Sequence, residues 1–275
     1  MFTKLGDLWV ADSHLETFRK HGLTGLDALL SYEPTESLPK PGLPSWRERF
    51  RMELCGESGE TFAFYAKRYR APPFSAQRGR IVHGVPRRST AWIEWDWLRR
   101  LAADGIATMT PVAFGERMSG WRERSSVLVT EAVGGESLER WAARRNGRCS
   151  REWIVSLASF VSRFHHLGYA HRDLYLSHVF FENTGNAGVR FRLIDLQRVI
   201  RPRWRRQRWV IKDLAALNYS TPSHVATATD RVRFLKAYLG VRRLGSTQKR
   251  LAGRIAAKTR RIADHDRRRG EACDR

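Results

Sequence analysis

Two acids 22 residues apart constrain this chain more than anything else in it. Asp173 lies in the short turn-forming tract His171-Arg172-Asp173-Leu174-Tyr175-Leu176-Ser177-His178, and Asp195 follows the apolar pair in Leu193-Ile194-Asp195-Leu196-Gln197. An acid in a turn and a second acid after a hydrophobic strand suit phosphoryl transfer. The first orients an accepting hydroxyl, and the second holds a divalent cation on nucleotide phosphates. A lone His-Arg-Asp tripeptide carries little information; the ordered companions on both sides make this pattern specific.

The rest of the chain can supply a fold for such a site. At 275 residues, with 42% hydrophobic residues and ten tryptophans, it can bury a large core and is not a disordered polycation. Cys55, Cys149 and Cys273 are odd in number and widely spaced, which argues against a disulfide framework or a zinc site and fits a reducing compartment. The N-terminal residues lack an apolar signal core, and no run of about 18 apolar residues is present to span a bilayer. Charge is the extreme feature: 50 Lys+Arg against 28 Asp+Glu, a net +22. Such a field attracts nucleic acid, anionic lipid or a phosphorylated substrate without choosing among them.

Periodicity places the motifs. Residues 1–45 read as an extension, partly helical near Leu15–Leu30 and then interrupted by Pro34, Pro39, Pro41 and Pro44. Arg49–Leu54 and Thr61–Tyr69 alternate as the two strands of a hairpin, with Gly56 and Gly59 in the turn and Lys67 late in the second strand. Residues 89–103 read as a helix with Ser89 as N-cap and Trp92, Trp95, Leu98 and Ala102 at helical spacing. Strands are expected at Pro111–Gly115 and Ser126–Thr130, and Gly134-Gly135 suits a connector. Helices follow at Ser137–Arg145 and about 151–167, the latter ended by Gly168.

The resulting order is strand, glycine loop, strand with Lys67, helix with Glu94, strand, connector, helices, His-Arg-Asp, Ile-Asp. It resembles the protein-kinase order over about residues 47–220. His178 stands five residues after Asp173, where protein kinases and aminoglycoside kinases place Asn. Together with Ile-Asp-Leu and Lys212-Asp213-Leu214-Ala215-Ala216-Leu217, that departure resembles the bacterial lipopolysaccharide kinase (Kdo/WaaP) family. The stretches Trp95–Leu101, Gly105–Thr110 and Val112-Ala113-Phe114-Gly115-Glu116 also look like that family.

The resemblance implies an α+β, protein-kinase-like bilobal fold with a small β-rich N-lobe and a larger helical C-lobe. The expected division is an N-terminal extension (1–45) packing on the N-lobe (46–133), a C-lobe (134–245) and a basic helical tail (246–275). It further implies ATP and Mg²⁺, with inner-core heptose or Kdo as the acceptor on the cytoplasmic side of the inner membrane. Asp173 is then the catalytic base and Asp195 the metal ligand. His178 is either a further metal ligand or a hydrogen-bonding partner of phosphate or water, since imidazole prefers softer ions than Mg²⁺. Lys67 contacts the phosphates under Gly56 and Gly59, with Glu131 and Val133 completing the nucleotide site. Glu94 pairs with Lys67 and holds it in place, with Asp96 as the alternative; both cannot serve, because they project about 200° apart on a helix. His171 and Asp213 are structural, Asp213 anchoring the catalytic loop through backbone N–H groups.

Arg198–Lys212 contains seven basic residues and no acid just beyond Asp195. Arginine forks pair with phosphate and carboxylate, so Arg201, Arg203, Arg205 and Arg206 are candidate contacts for an anionic acceptor, against the plainer reading of a solvated basic face. From Val241 onward, twelve Lys+Arg oppose four Asp+Glu, a net +8 that suits adsorption to an anionic membrane surface. A monomer is expected, and nucleic acid is not the expected partner. The competing readings are a protein or small-molecule kinase of the same fold, or a basic pseudokinase or nucleic-acid-binding module without ATP turnover.

Overall fold

The computed structural model describes residues 1–34, 36–38, 42–183 and 188–273, so Pro39, Pro41 and the last two residues of the tail lie outside the described residues. The chain divides after Val133 into two units.

The first unit is built on a seven-stranded antiparallel sheet. Its strands are β1 (Phe2–Leu5), β2 (Leu8–Ala11), β3 (Glu36–Ser37), β4 (Arg47–Cys55), β5 (Thr61–Arg70), β6 (Pro111–Ser119) and β7 (Arg122–Glu131). Their spatial order is β1-β2-β6-β7-β5-β4-β3. The N-terminal strands join this sheet through β2, which pairs with β6, with Leu8 opposite Gly115. A Cβ at Gly115 would fall 3.2 Å from Leu26 Cδ1 and 3.3 Å from the Asp7 carbonyl, so glycine lets β2 approach.

The alternation in the β4–β5 hairpin sends Phe50, Met52, Leu54, Phe64 and Ala66 into one core with Leu8, Val10, Val127 and Val129. Two short helices, α1 (Leu15–Lys20) and α2 (Leu26–Ser31), add Phe18, Leu26 and Leu29 to it. Each such fully buried side chain contributes roughly 1.5–3 kcal/mol of transfer free energy. The one continuous helix suggested near Leu15–Leu30 is split because Gly22, at φ 67°, turns the chain between them.

After α3 (Phe74–Val82), helix α4 (Thr90–Ala103) begins where the Ser89 hydroxyl accepts the Trp92 N–H at 3.1 Å. Its Trp95 stacks on Phe114 of β6 with ring centroids 5.3 Å apart. Lys67 is one residue out of phase with Ala66 and so projects to the α4 side of the sheet.

The second unit is mostly helical. The small strand β8 (Glu136–Ser137) and the hairpin β9 (Val179–Asn183) and β10 (Val189–Leu193) form a sheet ordered β10-β9-β8. The helices are α5 (Leu138–Arg144), α6 (Arg151–His166), α7 (Arg206–Ser220), α8 (Ala228–Leu239) and α9 (Ser246–Cys273). Ser137 and Ser150 cap α5 and α6, and Thr227 with Asp230 forms a capping box on α8. Along α6, Ile154, Ala158, Val161 and Phe164 are buried, and Gly168 at φ 95° ends the helical path. Helix α6 packs on α8 and α7 on α9.

Candidate active site

Each unit presents part of the constellation expected from the sequence. In the sheet unit, Lys67 Nζ lies 2.7 and 2.8 Å from the two oxygens of Glu94, which is 0% exposed while the lysine side chain is 14% exposed. Asp96 instead pairs with Arg100 one turn along the helix at 2.7 Å. The open choice between the two acids therefore falls to Glu94.

The glycine turn is a tight hairpin end. Gly59 adopts φ 87°, and a Cβ on Gly56 would come within 2.8 Å of the Phe62 ring. Contacts that the sequence did not signal hold this turn: Lys20 Nζ donates to the Gly56 carbonyl at 2.8 Å, and the His21 ring meets the Cys55 backbone at 3.1 Å. The Glu131 carboxylate lies 3.0 Å from His14 Nε2, and its N–H donates to the Thr110 carbonyl; Val133 closes the unit.

In the helical unit, the tract around Asp173 is pinned from below. Asp213, 0% exposed on α7, accepts the His171 N–H at 2.6 Å and the Arg172 N–H at 2.7 Å, with His165 Nε2 at 3.3 Å. Arg172 is held there at φ 71°, a left-handed conformation that costs a non-glycine residue energy and that the two bonds stabilise. His171 Nε2 donates to the Ile194 carbonyl at 3.1 Å, tying the tract to the residue before Asp195. Burial holds the His171 pKa below its ordinary value, so the ring is neutral. The Ile194 N–H returns to the His178 carbonyl at 3.0 Å, and Asp195 itself turns at φ 56°.

His178 and Asp195 face one another, with Nε2 3.8 Å from Oδ2. His178 Nδ1 donates to the Asp173 carbonyl at 2.8 Å, because a carbonyl can only accept. That bond leaves Nε2 facing the Asp195 carboxylate, where a cation could be shared by the two side chains. Among the described residues no group of three or more His, Cys, Asp and Glu side chains converges as a metal cage. The Asp195 carboxylate fits Mg²⁺, which takes one or two protein carboxylates and completes its shell with substrate phosphates and water, whereas the His178 imidazole is the softer donor.

The Asp173 carboxylate is engaged by two cations that sequence reasoning did not single out. Arg198 Nη1 lies 3.0 Å from Oδ1 and 2.9 Å from Oδ2, and Lys212 Nζ lies 3.6 Å from Oδ1. Both belong to the seven-residue basic set noted in the sequence, at its first and last positions. Of the four arginines expected to meet the acceptor, Arg201 lies over the Tyr169 ring at 5.3 Å and Arg206 donates to the His165 carbonyl. Arg203 and Arg205 are exposed, and Trp204 between them is 85% exposed. Cys149 is half-buried, and burial pushes its thiol up to about 11, which leaves it un-ionised.

The sequence pattern of the lipopolysaccharide kinase (Kdo/WaaP) family matches residues 78–238, more than half of the chain. The chain belongs to this family. It is similar to the lipopolysaccharide core heptose(I) kinase WaaP of Pseudomonas aeruginosa, with 36% identity over 154 residues, 53% of this chain and 58% of that protein. It is also similar to the enzyme of the same name from Escherichia coli K12, with 33% identity over 189 residues, 64% of this chain and 71% of that protein. The match thus spans little more than half the length of the first relative. Among solved structures, WaaP in complex with acyl carrier protein superimposes with a TM-score of 0.69 at 26% identity, over 94% of this chain and 98% of that one. The fold is the protein-kinase-like one, with a β-rich unit followed by a helical unit.

Proposed function

We propose that this member of the Kdo/WaaP family is an ATP-dependent kinase that phosphorylates a hydroxyl of an inner-core sugar of lipopolysaccharide, heptose or Kdo, or a related anionic glycoconjugate. The observation that carries the reading is the Asp213-pinned tract, which fixes Asp173 beside the facing pair His178 and Asp195.

Within this reading each candidate residue has a role. Asp173 accepts the proton of the attacking hydroxyl, and the fixed backbone keeps its carboxylate oriented. Asp195 and His178 would hold Mg²⁺, which neutralises charge on the nucleotide phosphates. Lys67, kept in one rotamer by Glu94, is the phosphate clamp, and the Gly56–Gly59 turn, Glu131 and Val133 complete the nucleotide contacts. Arg203, Trp204 and Arg205 make a surface for the acceptor: guanidinium groups for phosphate or carboxylate, and an indole face for a sugar ring. The arginine-rich C-terminal helix would hold a monomeric enzyme at the inner face of the inner membrane. No helix among the described residues is long and apolar enough to cross a membrane.

A second partner is favoured by one observation. The helical unit contains an apolar cavity of about 290 Å³ lined by Trp141, Trp153, Leu157, Leu214, Val232 and Leu235. With the solved neighbour in complex with acyl carrier protein, we propose that this chain also associates with such a carrier, the acyl chain entering the cavity. Stabilisation of the melting transition by acylated carrier alone supports this; no shift with either form removes it.

The kinase reading is tested by phosphate transfer from Mg·ATP to dephosphorylated lipopolysaccharide core, in wild type and in Asp173→Ala and Asp195→Ala. Phosphate on the glycan, lost in both variants, is the expected result. Binding of Mg·ATP without transfer would point to a protein or small-molecule acceptor. No nucleotide binding, with salt-steep affinity for nucleic acid, would favour the basic binding module.

A further inference from the structure

Two cations meet the Asp173 carboxylate at the catalytic tract. Arg198 and Lys212 both reach Asp173, while the Arg172 guanidinium lies over the Trp209 ring at 5.0 Å. The neighbouring acid, Asp213, is fully buried and its oxygens accept the His171 and Arg172 N–H groups. Arg198 and Lys212 thus bring two positive charges to the one carboxylate of Asp173.

The two cations on Asp173 differ in kind. Arg198 has a 54% exposed side chain and covers both carboxylate oxygens at hydrogen-bond distance. A hydroxyl that donates to Asp173 can take a lone pair that Arg198 leaves open on those oxygens. Lys212 is 25% exposed and rises from α7 one residue before Asp213, whose two bonds to the tract fix the helix at that point. Its ammonium stands 3.6 Å from Oδ1, too far for the tight ion pair that Arg198 makes, and close enough to share whatever binds at that oxygen. Burial lowers its pKa and the charge on Asp173 raises it, as expected for a cation drawn out of water toward an anionic site.

We infer that Lys212 is a catalytic residue whose ammonium contacts the phosphoryl group in flight. This rests on the kinase reading above. The acceptor oxygen forms a bond to the γ-phosphorus as the bond from that phosphorus to the ADP oxygen breaks. The electron pair of the broken bond leaves with ADP, and the hydroxyl proton passes to Asp173. Negative charge on the equatorial phosphoryl oxygens is then stabilised by a donor already fixed beside Asp173. Because that contact is made more strongly in the transition state than in either bound substrate, its loss appears in kcat rather than in KM.

The test compares wild type with Lys212→Met, which keeps the aliphatic stem and removes the charge, and with Lys212→Arg, which keeps the charge. Transfer to the glycan, to water and to the protein itself is followed in each, with melting temperature and Mg·ATP affinity measured alongside. The expected result for Lys212→Met is a fall in kcat of roughly 10²–10³ with both KM values within about threefold, and recovery of at least roughly tenfold in Lys212→Arg. Unchanged kcat, or a loss expressed wholly in KM, overturns the role. If Lys212→Met does not fold, Lys212→Gln is read by the same criteria. A wild type that transfers phosphate to nothing removes the kinase reading and this role with it; an active wild type matched by Lys212→Met removes the role alone.

Discussion

The Lys67 ammonium and the Glu94 carboxylate form a two-oxygen ion pair, 2.7 and 2.8 Å, on the helix-covered side of the sheet. Removing only one partner leaves the other charge poorly solvated. Glu94→Ala is therefore expected to destabilise the sheet unit by about 3 kcal/mol and to weaken Mg·ATP binding, since the lysine loses its rotamer. The double variant Lys67→Met/Glu94→Leu is expected to regain most of that stability without regaining nucleotide affinity. Urea denaturation with nucleotide titration checks both halves. A Glu94→Ala protein with wild-type affinity would sink the clamp role.

Asp213 offers two oxygens to two backbone N–H groups, and an amide cannot reproduce that. Asp213→Asn places an N–H₂ group against one of the donors at His171 or Arg172. Leaving a buried donor unpaired costs about 1–3 kcal/mol, more where the lost acceptor was charged. We expect Asp213→Asn to lower the melting temperature of the helical unit and to cut kcat strongly. Near-normal turnover would mean that the tract keeps its shape without this anchor.

The parts of the site that were readable in the sequence are those fixed by short spacing. Asp173, His178 and Asp195 lie within one turn and one hairpin, so their order along the chain nearly determines where they meet. Ser89 as a cap and Lys67 on a strand were readable for the same reason. The Glu94–Asp96 choice was not, because both acids sit on a helix of uncertain facing until Trp95 packs on Phe114. Nor were the strands β1 and β2: each is four residues long, and β2 finds β6 about 100 residues away, a pairing that local periodicity does not encode. Arg198 was visible only as a member of a basic run and Lys212 only there and in the Lys212–Leu217 motif, since Arg198 meets Asp173 from the turn after Asp195 and Lys212 meets it through the tertiary placement of α7.

Glu48 provides a pH handle on the sheet unit. Its carboxylate takes both Arg68 Nε and Nη2, at 2.6 and 2.8 Å, while Arg68 Nη1 donates to the Leu30 and Tyr32 carbonyls after α2. Hydrogen bonding from Arg68 holds the Glu48 pKa below its ordinary value. A carboxyl depressed in the folded state contributes stability above its unfolded pKa and loses it as pH falls through the folded one. We expect wild type to lose more stability than Glu48→Gln between pH 7 and pH 4, read by urea midpoints. Equal losses would remove Glu48 as the source.

Trp204 is the most exposed indole among the described residues, and it lies between two exposed arginines. An exposed side chain contributes little to stability, so Trp204→Ala is expected to leave the melting temperature unchanged. If the indole stacks on the acceptor sugar, the variant raises acceptor KM by roughly tenfold, corresponding to about 1.4 kcal/mol, and leaves the KM for ATP alone. Steady-state kinetics with both substrates varied decide this. A change in neither KM assigns the acceptor to another surface.

Helix α9 packs its Ile255 side toward α7 and leaves Lys249, Arg250, Arg254, Arg260, Arg261, Arg267 and Arg268 exposed. At 100° per residue these seven positions fall within an arc of about 140°, so they form one stripe along the helix. Asp264 lies within that arc and pairs with Arg267, which tempers the charge at that end. Near an anionic bilayer each basic residue contributes on the order of 1 kcal/mol, and the effect fades over a Debye length. Replacing Arg250, Arg254, Arg261 and Arg268 by Gln is expected to weaken binding to phosphatidylglycerol vesicles by at least roughly 10²-fold at low salt, to change binding to neutral vesicles little, and to leave turnover on a soluble core oligosaccharide intact. Vesicle co-sedimentation across a salt series, beside the soluble assay, separates the two effects. Unchanged vesicle binding would show that the stripe is a solvated face and that any membrane attachment lies elsewhere.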